Sequence, residues 1–544
     1  MYKLWVTNRR PRCLRSLRCL ALLLAAAMLF AAVGCDKTDY DWEAAEERRS
    51  QLYHTSLDAE NKIDVSKITE TDMTLPYTSG DDFNPYTCQS TLTKNICYLL
   101  YDSMIQINPD FEPEYIIAKS IKVDHTIITV QIRSGIVFSN GDPLTADDIS
   151  YSYYLASRKE SCYYDQLKNV TSCSVKGMTV TFMMQNEHVN SYRLLDFPIV
   201  HYDPNADKNL PHIGSGRFKF ATLQDGRLDK TLLIKNNKWY NPDKVSVETI
   251  ALKELPTVES IVHSIEIGTV SYMYTDMRDG TPKNVNANYR KVDINHLLYL
   301  GMNTNDTALA DENVRHAISY AISTNEVAAA GFGGMALGAT GPFTPNWKEA
   351  AKFQKGSGRS SISLAQDALD QSGYVIVNNG IREDQGGKQL SFNLLVCRKN
   401  PRHMAAAESV KNQLAKVGIN VDITEISGNG LINRAAEGKY HLYLAEYSVL
   451  NDMDIGALFT PEQGLYNGPL AYDSVRTYTN YRLGLGQIED FITAFESELP
   501  FIPLCYRMGM AVYARSLEGV GNIAEDQLFY NMQQWKVTKT GPSS

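Results

Sequence analysis

Ionisable side chains crowd into one stretch of this 544-residue chain. After the apolar run His441-Leu-Tyr-Leu-Ala445 comes Glu446-Tyr447-Ser-Val-Leu450-Asn451-Asp452-Met-Asp454. Carboxylates so grouped can hold a cation, or can form a solvated acidic loop. Tyr506 and Arg507 follow the run Pro503-Leu504, and Arg507 could grip a carboxylate through two parallel N–H donors. This is the chemistry of grasping. Marks of bond-making are missing: there is no nucleophile elbow, no phosphate loop and no His-Glu-x-x-His. Gly331-Phe-Gly333-Gly334 follows a helical pattern, so it reads as a loop or hinge and not as a dinucleotide site. The ten His are scattered, and His201 and His212 default to surface or capping roles. No catalytic residue, metal ligand or cofactor is assigned.

The elements that would position these groups are partly legible. Asp72 to Tyr77 reads as a strand, Thr91 to Ile105 as a helix and Ile127 to Ile132 as a strand ending near Gly135. Asn140-Gly141 marks a bend. Thr145-Ala-Asp-Asp148 opens a helix to about Arg158, with Asp148 placed to return the Thr145 cap. Lys230 to Lys235 and Leu297 to Asn303 read as strands. One apolar stripe predicts a helix from Asp311 to Val327, capped by Asp311. Ser363 is expected to cap a shorter helix ending at Gly373. Strand 392–396, helix 402–417 with Gly418 as its stop, and strand 419–426 form a βαβ unit, hence parallel strands in an α/β lobe.

The ends and the composition set the compartment. Lys3, Arg9, Arg10, Arg12, Arg15 and Arg18 precede the apolar run 20–33 and Gly34-Cys35, the order of an export signal. A Cys after a small residue at this point is the pattern of a bacterial lipoprotein, so Cys35 is expected to be lipidated and to begin the mature chain. The charged segment after it reads as a solvated tether. The leader holds six of the 53 basic residues and none of the 62 acidic ones, leaving a body of net charge about −15. That balance argues against a nucleic-acid partner. Six Cys remain beyond residue 35 with no Cys-x-x-Cys, and Cys162 with Cys173 is the nearest pair for a disulfide, against free buried thiols.

Several blocks resemble one known family. Asp81-Asp-Phe-Asn84-Pro85-Tyr86, Tyr101-Asp-Ser-Met-Ile105, and above all Arg133-Ser-Gly135-Ile-Val-Phe138-Ser-Asn-Gly141-Asp-Pro-Leu-Thr145-Ala146-Asp-Asp148 are similar to blocks of the family 5 extracellular solute-binding proteins. These are the peptide and nickel receptors of ABC importers. Gly214-Ser-Gly216-Arg-Phe218, residues 236–240, Met302-Asn303 with 311–322, Gly438-Lys-Tyr440 and 499–504 continue the order. The resemblance implies an α/β, periplasmic-binding-protein type II-like fold, with two α/β lobes around a hinged cleft and an extra subdomain.

The expected division is a signal peptide over 1–34 and a tether over 35–65. Lobe I is discontinuous over 66–85, 204–297 and 499–544, with its extra subdomain over 86–203, and lobe II covers 298–498. The chain would cross the hinge near Leu300 and near Leu499, and Arg315 is expected to pair with a carboxylate on its helix. In peptide-binding relatives the loop after the strand carries a Trp and then an Asp that holds the peptide ammonium. Here Tyr447 stands at the Trp position and Leu450 at the Asp position, so Asp452 would serve only with a shifted loop, and Glu446 is the alternative anion. Tyr447, Tyr506, Arg507, Asn84 and Tyr86 complete the candidate ligand contacts. The implied function is a monomeric, lipid-anchored, extracytoplasmic receptor that captures a peptide or another small solute and delivers it to a membrane permease. Nickel chelate, haem or oligosaccharide are alternative ligands. A surface sensor or adhesin, or a cell-surface hydrolase, are readings of other classes.

Overall fold

The computed structural model describes residues 68, 70–78, 80–203, 210–241, 246–276, 286–354, 360–459, 472–525 and 527–538. The leader, Cys35 and the tether lie outside them. No helix among the described residues is long and apolar enough to cross a membrane.

The chain opens with β1 (Met73–Tyr77), which is followed by helix α1 (Thr91–Leu100). This helix stops five residues short of the expected end. Tyr101 turns extended, and the backbone N–H of Gly216 takes the Leu100 carbonyl at 3.0 Å. The next strands are β2 (Ile105–Ile107), β3 (Pro113–Tyr115), β4 (Ala118–Asp124) and β5 (Ile127–Ile132). Helix α2 (Ala146–Ala156) leads to the hairpin β6 (Val170–Lys176) and β7 (Thr179–Met184). Strands β4, β5, β7 and β6 form an antiparallel sheet in the order β4-β5-β7-β6. Then β8 (Phe218–Thr222), β9 (Leu228–Lys235) and β10 (Thr249–Glu254) join β1 in the order β1-β10-β9-β8, with β1 and β10 parallel.

Helix α3 (Val258–Glu266) and strand β11 (Tyr272–Thr275) lead to the long β12 (Asn288–Met302). Helices α4 (Glu312–Ala321) and α5 (Thr324–Phe332) replace the single expected helix. Asp311 caps the first as expected, and Ser323 caps the second, accepting from the Glu326 N–H. After β13 (Ala336–Gly338) comes α6 (Ile362–Gln371), capped by Ser361 and not by Ser363. The expected βαβ unit is present: β16 (Ser391–Cys397) and β17 (Asn420–Ile426) are parallel across α7 (Pro401–Ala415), and Gly418 takes the left-handed φ of 85°. (β14 and β15 are the short hairpin Ile376–Asn378 and Ile381–Glu383.) Helix α8 (Gly428–Ala436), strand β18 (Leu442–Ser448), helices α9 (Tyr472–Arg482) and α10 (Ile488–Glu498), and the long β19 (Phe501–Tyr513) complete the main elements.

The central sheet has seven strands in the order β11-β19-β12-β18-β16-β17, with β13 also on β19. Both of its faces are covered at the β12 end. Leu298, Leu300, Met302, Leu442, Leu444, Ile502 and Leu504 pack with the α4–α7 core. Leu297, Tyr299, Tyr443 and Phe501 face the opposite way, with Tyr478, Phe491 and Phe495 of α9 and α10. This double burial explains why Leu297 to Met302 is apolar at every position, where a one-sided strand would alternate. Strands β12 and β19 pair antiparallel from Asn288 opposite Tyr513 to Gly301 opposite Phe501. Register breaks fall between Asp293 and His296 and between Leu298 and Tyr299, and such irregularities let paired strands bend.

The recurring sequence blocks hold elements together. Asp148 Oδ2 accepts from the backbone N–H and the hydroxyl of Thr145 at 2.8 and 2.7 Å, and its Oδ1 accepts from the Tyr202 N–H at 2.8 Å. A Cβ on Gly216 would lie 2.4 Å from the Leu100 carbonyl carbon, so only glycine lets the two backbones meet. Asp102, buried beneath this contact, accepts from Trp239 Nε1 at 3.1 Å and Ser215 Oγ at 3.3 Å. Burial pushes its carboxyl up to about 6 despite the nearby Arg217 charge. Arg315 is buried; it lies 3.9 Å from the Glu312 carboxylate of its own helix, as expected, and it also grips carbonyls. It donates to Glu498 O at 2.9 and 2.6 Å and to Leu309 and Ala310 O at 3.0 and 2.9 Å, satisfying the ends of two helices. All six described Cys are free thiols, so the Cys162–Cys173 disulfide is absent; Cys162 Sγ instead lies 3.6 Å from the Pro85 carbonyl.

Candidate functional site

Strand β18 delivers the acidic loop. Glu446 sits opposite Leu298 of β12, so its side chain is set by the central sheet. Its Oε1 accepts from Arg507 Nε at 2.8 Å and lies 3.0 Å from His296 Nδ1, while Oε2 lies 3.4 Å from His403 Nε2. Burial opposes ionisation of this carboxyl, but the two histidines and the Arg507 charge outweigh it and hold its pKa far below the usual range. Arg507 also donates to the Asp276 carbonyl. Glu446 and Arg507 are therefore brought together, and each spends its charge on the other beside the first register break of β12.

The remaining candidates take different places. Tyr506 is enclosed, its hydroxyl donating to Pro342 O at 2.7 Å. Tyr86 is also enclosed and donates to Pro198 O at 2.7 Å, while Asn84 Oδ1 accepts from the Tyr86 N–H at 3.0 Å and shapes the turn. Tyr447 is half-buried against the main core, and burial raises its phenol above the ordinary value.

The loop beyond Tyr447 carries an acidic pair, Asp452 buried and Asp454 half-buried. Met453 adopts a left-handed φ of 60°, which turns Asp452 and Asp454 inward. Asp454 Oδ1 accepts from Tyr478 OH and from the Gly456 N–H, each at 2.8 Å, and Oδ2 lies 3.8 Å from Arg482 Nη2. Burial works against its charge, but Arg482 and these donors win and keep its pKa low. Asp452 is the opposite case. Among the described residues its Oδ1 accepts the Asp454 N–H alone, at 3.1 Å. Burial first, and then the Asp454 charge, push it up to about 7.

This loop meets the small subdomain. Asn451 Nδ2 donates to Asp196 Oδ2 at 2.5 Å, Asn190 Nδ2 to Tyr481 OH at 2.9 Å, and the Val189 N–H to Arg482 O at 2.8 Å. The Arg193 guanidinium lies 5.6 Å from the Trp347 ring centroid, and Lys348 Nζ pairs with Asp110 at 2.6 Å. A cavity of about 630 Å³ opens beside that pair, lined by Asp110, Lys291, Asp293, Asn346, Lys348 and Asn522 among others. Burial lifts Asp293 in its wall to about 6, against a hydrogen bond from Asn346. Sequence reasoning did not find His188, Arg193, Trp347 or Asp293. Each is a single residue without a motif, and only packing between distant segments gathers them.

The charged groups so placed are able to hold an ionic solute. The model of the bacterial extracellular solute-binding proteins, family 5, matches residues 112–459. The oligopeptide-binding protein AppA of Bacillus subtilis is 24% identical over 376 residues, covering 65% of this chain and 68% of that protein. A nickel ABC transporter structure from Bacillus halodurans superposes with a TM-score of 0.70 at 15% identity, over 84% of this chain and 98% of the other. The open, unliganded form of the murein tripeptide binding protein MppA gives 0.67 at 15% identity, over 86% and 97%. These structures share the two-lobed periplasmic-binding-protein fold. By this match the chain belongs to the bacterial extracellular solute-binding proteins, family 5.

Proposed function

We propose that this chain is a peptide receptor of an ABC importer, held at the outer face of the membrane by a lipid on Cys35. It would take up a peptide from solution and pass it to a membrane permease. The observation that carries this reading is the buried carboxyl of Asp452, raised to about 7 in a chain related to oligopeptide-binding proteins. Burial and the neighbouring Asp454 charge disfavour its anion more than Arg482 and Arg193 favour it, so a peptide ammonium would restore the charge and strengthen the hydrogen bonds around it. Glu446 and Arg507, neutralised by each other, would fix the strands from which the loop springs. Closure of the lobes would bury the peptide, and ATP would be hydrolysed elsewhere.

Binding would therefore expel a proton. Near neutral pH, titration calorimetry of a tripeptide mixture in two buffers of different ionisation enthalpy should give different apparent heats, in proportion to proton release. Equal heats would remove the ammonium–Asp452 pairing, and no heat with any peptide would remove the peptide reading. A second reading, a receptor for a metal chelate, is favoured by the likeness to nickel-transport structures. Tight binding of nickel–histidine in the same calorimeter, with no peptide binding, would establish it.

A further inference from the structure

Three of the six described cysteines gather on one turn, residues 83–88, and they reach it from three places in the chain. Cys88 closes the turn, its N–H donating to the Asn84 carbonyl at 3.0 Å. Cys97 comes from α1, and its Sγ lies 3.8 Å from the Phe83 carbonyl. Cys162 comes from the segment between α2 and β6. Its N–H donates to the Tyr86 carbonyl at 2.8 Å, and its Sγ lies 3.6 Å from the Pro85 carbonyl. Cys88 and Cys97 are 5% and 2% exposed, and their thiols lie within hydrogen-bonding reach of each other. Cys162 is exposed.

The two inner thiols are placed as a pair. Sulfurs already in contact need only a short approach to the roughly 2.0 Å of a disulfide bond. Burial, and then the Cys88 thiol, push the Cys97 thiol well above its ordinary pKa, so the folded chain offers no thiolate at that position. Oxidation therefore belongs to the folding of the chain, before α1 packs onto the turn. The compartment permits it: the chain belongs to an extracellular family, and disulfides persist outside the cytoplasm.

We propose that Cys88 and Cys97 form a disulfide as the exported chain folds, and that this bond fastens the turn 83–88 to α1. The oxidant is a partner that itself carries a disulfide, RS–SR. The Cys88 thiolate attacks one of its sulfurs and releases RS⁻, and the Cys97 thiolate then attacks the Cys88 sulfur and releases the second RS⁻. The S–S bond of the partner is broken and a new one joins the two cysteines. The cysteines are oxidised, the partner is reduced, and the two thiol protons end on two molecules of RSH. Cys162 stays a thiol. The turn so fastened is a joint: Tyr86 donates to the Pro198 carbonyl at 2.7 Å, and the Phe83 carbonyl accepts from the Tyr101 hydroxyl at 3.2 Å. The inference does not depend on which solute the chain binds.

The test takes the full chain exported to the envelope of a bacterial host, blocks free thiols with iodoacetamide at lysis, and digests the protein with trypsin. Lys94 lies between the two cysteines, so their sulfurs fall in separate peptides. Mass spectrometry should find those two peptides joined, with Cys162 alkylated. The same chain refolded in dithiothreitol should melt about 3 °C lower, because the unfolded state is no longer cross-linked. Cys88→Ala and Cys97→Ala should each remove this response to reductant, and Cys162→Ser should keep it. Recovery of Cys88 and Cys97 in alkylated form would overturn the proposal, and so would a link from either of them to Cys162 or to any other cysteine. Should an alanine variant fail to fold, the peptide link in the wild type still decides.

Discussion

Asp452 pits stability against capture. Its folded pKa of about 7 lies above the ordinary 3.8, so the folded chain holds this proton more tightly than the unfolded one. The folded state is then favoured most at low pH, and this contribution is lost as pH rises from about 4 to about 7. Asp452→Asn removes the buried charge. It should raise the melting temperature of the ligand-free protein near pH 8, leave it almost unchanged near pH 4, and weaken peptides with a free ammonium at least about tenfold. A variant less stable at pH 8 would refute this account. Glu446 works in the other direction, because its pKa is depressed. Its stabilisation is present above about pH 4.5 and fades on acidification. Arg507→Ala would leave that carboxylate with the histidines alone, and denaturant unfolding should show a loss of about 3 kcal/mol or more.

Elements in this chain are joined by backbone contact as much as by side chains. The end of α1 is stopped by the strand entry at Gly216, where an added Cβ would sit 2.4 Å from a carbonyl carbon. Gly216→Ala should cost about 2 kcal/mol or more in denaturant titration, through forced displacement of one backbone by the other. A cost under about 0.5 kcal/mol would show that the segments separate freely. The break between α4 and α5 was readable after the fact. Ser323-Thr-Asn-Glu326 is a helix-start pattern, hidden because the apolar stripe continues through it. What fixes the break is tertiary: the Gln413 side chain of α7 accepts the Ser323 N–H at 2.6 Å.

At the scale of the whole molecule, we propose that two long strands carry the connection between lobes. Strands β12 and β19 run 15 and 13 residues, and their pairing is irregular twice near the middle. We expect the lobes to rotate about this point. X-ray scattering should show a smaller radius of gyration once peptide is bound. Asn190→Ala, which removes the hydrogen bond to Tyr481, should enlarge the ligand-free average and weaken peptide affinity without touching Asp452. An unchanged radius with saturating peptide would mean that the cleft does not close.

The chain order, the βαβ unit and the turn residues followed from local rules. Gly141, Gly418 and the Thr145–Asp148 cap act within a few residues of themselves, so their consequences can be read along the sequence. The family blocks were legible for the same reason, and they proved to be joints, as Gly216 and Asp102 show. The charge state of the site was not legible. Glu446 and Asp452 lie six residues apart, yet the sheet and helix α7 supply the first with Arg507 and two histidines, while packing leaves the second with one backbone N–H among the described residues. Arg193 and Trp347 lie over 150 residues apart, and only tertiary packing brings them within 5.6 Å. Sequence fixes which groups exist; the long-range packing that strips water from them fixes which stay charged, which are paired, and which are left to meet a ligand.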